Sequence, residues 1–91
     1  MSTFAITYDL RRPGKDYTTL IKVISSLPGA VHYQQSAWFV RWTGTASSLR
    51  DFLRPYLDAN DLLMVMQVTA AAWHPNLACD AKIKQTFALA A

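Results

Sequence analysis

Four residues in one short stretch could do chemistry together. Asp9 closes the apolar run Phe4-Ala5-Ile6-Thr7-Tyr8, and Arg11, Arg12 and Lys15 follow it closely. Those three cations form the tightest cationic cluster in the chain. A loop of that kind can bind phosphates, each contact adding salt-dependent affinity; a solvated loop is the plainer alternative. The carboxylate beside them also has plainer roles, as an ion-pair partner for Arg11 or Arg12 or as a turn cap.

The other candidate groups are scattered. Trp38 and Trp42 fall on one face of an expected strand, where single-strand binders stack bases, although core or dimer packing suits them better. His32 and His74 are too far apart in sequence to argue a ligand pair, and either could shuttle protons near neutrality or be structural. Ser36 has no neighbouring His or Asp to activate it as a nucleophile. Asp58 and Asp61 bracket a turn and suit capping or solvation.

Composition narrows the class. The chain has 91 residues, 52% of them hydrophobic, and a net charge of +3. That length allows one domain, whose small core would gain from dimerisation. The basic bias permits nucleic-acid contact without requiring it. All the acids are Asp, since Glu is absent. A single cysteine, Cys79, excludes an internal disulfide and a Cys-based zinc site. With no charged-then-apolar N-terminus, it points to a cytoplasmic location. No apolar run reaches the ~18 residues that span a bilayer, so no membrane partner is expected.

The elements that must position Asp9 follow from periodicity and turn chemistry. Thr3 to Tyr8 favours extended backbone, and Pro13-Gly14 makes a turn. Asp16 can cap a helix running to Leu27, with Tyr17, Leu20, Ile21, Ile24 and Leu27 at helical spacing; Pro28-Gly29 stops it. Ala30 to Gln34 and Ala37 to Trp42 predict a hairpin across Gln34-Gln35-Ser36. Trp38, Val40 and Trp42 take one face, Phe39 and Arg41 the other. Thr45 or Ser47 can cap a second helix with Leu49, Phe52, Leu53 and Tyr56 as its apolar stripe, ended early by Pro55. Leu62 to Thr69 is a nearly unbroken apolar strand, suited to the centre of a sheet. The order is that of a ferredoxin-like βαββαβ fold in the α+β class: a four-stranded antiparallel sheet with two helices on one face. Residues 1–69 form that domain. Residues 70–91 form a C-terminal extension, helical from about Asn76 or packing at a dimer interface.

On Tyr8-Asp9-Leu10, Pro13 to Tyr17, Gln35-Ser36, Arg50-Asp51-Phe52-Leu53-Arg54-Pro55 and Asp61, the chain resembles a family of small ferredoxin-fold proteins. These are the second CRISPR-associated protein (the adaptation nuclease subunit) and the virulence-associated protein D toxins of toxin–antitoxin systems. The resemblance spans roughly residues 3 to 69. It implies that Asp9 is the catalytic and metal-binding residue of a homodimer, with two Asp9 carboxylates sharing a Mg²⁺ across the two-fold axis. Such a metal activates water against a phosphodiester. The expected function is therefore nucleic-acid binding through Arg11, Arg12 and Lys15, with metal-dependent endonuclease activity on RNA or DNA. The alternative is a non-catalytic protein–protein interaction module that uses the open sheet face or its aromatics.

Overall fold

The structure is a computed structural model that describes residues 1–10, 17–74 and 80–88. Its centre is β1 (Ser2–Asp9), because alternate residues of that strand are apolar or small on both sides. Phe4 and Ile6 point to one face and Ala5 to the other, and all three are buried. A strand buried on both faces needs neighbours on both edges. β3 (Ala37–Trp42) and β4 (Leu62–Gln67) supply them, each antiparallel to β1. β2 (Val31–Gln34) pairs with the outer edge of β3, so the sheet order is β2-β3-β1-β4. The protein is thus α+β, and the described residues form a four-stranded antiparallel open sheet and three α-helices.

Two helices cover the first face. α1 (Thr18–Ser25) buries Leu20 and Ile24, and α2 (Ala46–Leu53) buries Leu49 and Leu53. These meet Phe4, Ile6, Trp38 and Val40 in the larger core. Tyr17 occupies the N-cap position of α1 without a side-chain cap bond; the expected cap, Asp16, lies outside the described residues. Gly29 ends the α1 connection at a positive φ of 64°, and a Cβ there would come within 2.9 Å of the Arg41 side chain. α2 starts at a capping box, in which Ser48 N–H donates to Thr45 Oγ1 and Thr45 N–H to Ser48 Oγ. Pro55 then turns the chain into a short 3-10 segment, Arg54–Tyr56, where the expected early stop falls.

The hairpin between β2 and β3 turns on two residues, Gln35 and Ser36. The turns that suit such a hairpin need positive φ, which neither adopts. Pairing is irregular between His32 and Gln34.

Among the described residues, only half of the second face is covered. α3 (Asp80–Ala88) packs on β2 and β3, with Ile83 fully buried against Ala5, Val31 and Phe39. Phe39 stacks on Tyr33 at 4.2 Å and meets Phe87 edge-on at 5.1 Å. Thr86 Oγ1 donates to the Gly29 carbonyl at 2.9 Å, which ties α3 to the turn after α1. Over β4 this layer stops, and Leu62, Met64 and Met66 stand 51%, 58% and 41% exposed. The apolar run that predicted a central strand is therefore an edge strand. Its apolarity lies on two unlike faces: Leu63 and Val65 pack on the larger core, whereas the even-numbered residues meet solvent.

Burial raises the Tyr33 phenol above its ordinary value of 10.0. Folding stability from this group is complete below pH 10 and is lost as pH rises through the folded value, because unfolded Tyr33 ionises first. Denaturation between pH 9 and 11 should show a steeper loss for the native chain than for Tyr33→Phe. Ile83→Ala should lower unfolding stability by about 2–5 kcal/mol in urea titration; a negligible change would mean that α3 is not docked.

Candidate functional site

Asp9 is exposed at the last position of β1, opposite Leu62 of β4. Strand alternation places its side chain on the half-open face with Thr7, Leu62 and Met64. A shallow recess of about 440 Å³ lies here, lined by Thr7, Tyr8, Asp9, Leu62, Leu63 and Met64. A second recess of about 400 Å³ shares Leu63 with it and is lined by Arg50, Arg54, Asp58 and Asp61 among others. The end of β1 carries an exposed acid and the point from which the chain continues to Arg11, Arg12 and Lys15; Arg50 and Arg54 line the recess on the α2 side of β4. Those three cations, with Cys79, lie outside the described residues.

Arg50 and Arg54 were not legible as site residues from composition, although their four-residue spacing on a helix places them on one face. Asp51 holds both, accepting from Arg50 at 3.0 Å and lying 3.8 Å from Arg54. All three side chains are more than half exposed, so these pairs stabilise the fold little and leave the guanidinium groups open to other acceptors.

The acids of the turn are structural. Tyr17 O–H donates to Asp61 Oδ1 at 2.6 Å, and Asp58 N–H donates to Asp61 Oδ2 at 2.8 Å. Asp58 Oδ1 accepts from Ala59 N–H. Asp61 thus joins the residue before α1 to the residue before β4, which sets where β4 begins beside Asp9. The aromatic candidates are structural too. Trp38 is 6% exposed in the core, stacked on His32 at 4.4 Å, and donates through Nε1 to the Tyr8 hydroxyl at 3.1 Å. His32 Nε2 lies 3.0 Å from the Gln35 carbonyl. Trp42 packs on Phe52 and donates to Ser48 Oγ. Neither tryptophan offers a free stacking platform. His74 is exposed and does not line the Asp9 recess.

Among the described residues, no group of three or more His, Cys, Asp or Glu could hold a metal ion. Asp9 brings one carboxylate. A hard cation such as Mg²⁺ often takes one or two carboxylates and completes its shell with water and substrate phosphates. The described residues therefore offer one carboxylate here and no all-protein cage.

Comparison with protein-family models, curated proteins and solved structures returns no match.

The Asp61 clamp gives a direct expectation. Tyr17→Phe removes one hydrogen bond to a charged acceptor, which should cost about 1.5–3 kcal/mol in chemical denaturation. Asp61→Asn should lose part of the same stability, and the double variant should lose less than the sum of the two.

Proposed function

We propose that the protein binds nucleic acid along the Asp9 rim of its sheet, with metal-dependent endonuclease chemistry centred on Asp9. The observation that supports this reading is the exposed Asp9 carboxylate at the end of β1, from which the sequence continues into Arg11, Arg12 and Lys15. Arg50 and Arg54 offer further exposed cations on the α2 side of β4. Cations around a lone acid suit a polyanion with a bridging metal better than a small anion or an apolar ligand.

In this proposal the arginines and lysine hold phosphates and orient the strand. Asp9 would hold Mg²⁺ through one carboxylate oxygen. The metal, when bound, would polarise the phosphodiester and lower the pKa of a coordinated water. Tyr8, fixed by Trp38 Nε1, and Asp61, fixed by Tyr17, keep the rim in shape around it.

The ferredoxin-like description of the fold and the likeness to the second CRISPR-associated protein and virulence-associated protein D toxins belong to the same proposal. Supporting the fold description, β1-α1-β2 and β3-α2-β4 repeat one pattern, with β1 and β3 adjacent in the sheet and both helices on one face. Supporting the likeness are the short motifs around Asp9, Pro13 to Tyr17 and Arg50 to Pro55.

A second reading, a non-catalytic protein-interaction module, is favoured by the exposed apolar residues of β4. Salt separates the two, since phosphate contacts weaken as counterions return and apolar contacts do not.

The test is binding of labelled single-stranded RNA and duplex DNA across a salt series, followed by incubation with Mg²⁺, Mn²⁺ or EDTA. Binding should fall steeply with salt, and Arg50→Ala with Arg54→Ala should each lower the logarithmic salt slope by about 1. Asp9→Asn should keep binding and lose metal-dependent cleavage. Absence of binding at low salt would overturn the proposal, and binding without cleavage would remove its catalytic part.

A further inference from the structure

The two edges of the sheet are unequal. β2 is four residues long, irregular in its pairing and flanked by α3, which are common protections for an edge. β4 is packed by α2 on its core face, but it is longer and regularly paired, and among the described residues no strand pairs with its outer edge. Its six residues, Leu62-Leu63-Met64-Val65-Met66-Gln67, contain no charge, no proline and no recorded bulge. Three of its apolar side chains stand exposed on the half-open face.

The backbone phase of β4 follows from two hydrogen bonds. Val68 N–H donates to the Thr3 carbonyl at 2.9 Å, and Tyr8 N–H donates to the Ser36 carbonyl at 3.1 Å. Antiparallel strands alternate the direction of their backbone groups. The even-numbered residues of β4 therefore bond to β1, and Leu63, Val65 and Gln67 aim N–H and C=O outward. An occupant of this edge must be an extended chain, because a helix cannot meet those groups in register. It must also be apolar on one side, to cover Leu62, Met64 and Met66.

We propose that the occupant is β4 of a second copy, paired antiparallel about a two-fold axis through Val65. An uncharged strand meets its own copy without like-charge contact, and one patch then satisfies both partners at once. Keeping each copy's core face on the same side of the joined sheet permits only pairs of equal parity. With Val65 on the axis, Leu63 faces the second copy's Gln67, and Gln67 faces its Leu63. All three outward residues then exchange bonds within β4 itself, two bonds per pair. With Met64 on the axis instead, Gln67 would have to pair with Asp61, outside the strand. The Val65 register also sets Met64 beside the second copy's Met66, which joins the two apolar patches across the seam. The result is an eight-stranded continuous sheet.

This geometry gives the expected homodimer a definite form and does not depend on nucleic-acid binding. Strand spacings place the two Asp9 residues about 25 Å apart, from three spacings across and six residues along. Each rim then works alone, and no metal is shared between the two carboxylates.

The test uses full-length chain with Cys79→Ser. Sedimentation should show a concentration-dependent dimer, and Met64→Lys, which changes an exposed side chain, should sediment as a monomer with an unchanged circular dichroism spectrum. Under mild oxidation, a mixture of Met64→Cys and Met66→Cys chains should form a disulfide-linked heterodimer. Neither variant alone should cross-link appreciably, because residue 64 meets residue 66 and not itself. A native chain that stays monomeric at its highest soluble concentration would overturn the proposal. So would a dimer that Met64→Lys leaves intact, or Met64→Cys cross-linking to itself.

Discussion

The structure depends on one constraint: β1 has to be covered on both faces and paired on both edges. Its Phe4 and Ile6 need the layer that α1 and α2 provide, and its Ala5 needs the α3 layer. α3 packs on the β2–β3 half of the second face. Among the described residues the half over β4 stays bare, and Asp9 is exposed on that face at the end of the strand.

The same geometry ties many polar groups into the fold. Asp61, Asp58, Ser48 and Thr45 are occupied in caps and clamps that fix the ends of elements. His32, Trp38 and Tyr8 form a stacked and hydrogen-bonded line that braces the end of β1. What these devices hold in place is the end of β1, where Asp9 stands exposed.

Much of this layout was legible in the sequence. The strand from Ala37 to Trp42, a hairpin near Gln34 to Ser36, a cap at Thr45 or Ser47 and the stop at Pro55 follow from alternation and local chemistry, which act over a few residues; that the turn uses only Gln35 and Ser36 does not. Two things were not legible, and both are long-range. The position of β4 depends on which strand pairs with β1, and an apolar run reads alike at the centre of a sheet or at an associating edge. The recess of Arg50 and Arg54 beside β4 likewise exists only because α2 packs over that strand. The tail after Thr69 was ambiguous because its helix is stabilised by Ile83 and Phe87 against the sheet, not by its own pattern.

Amide hydrogen exchange along β4 tests most directly whether this edge is built for pairing. The amides of Met64, Met66 and Val68 bond to β1 and should be protected at every protein concentration. Those of Leu63, Val65 and Gln67 should exchange quickly in dilute solution and become protected as concentration rises. Fast exchange at these three positions at all concentrations would contradict the account, and would leave β4 as an open edge that a second copy does not cover.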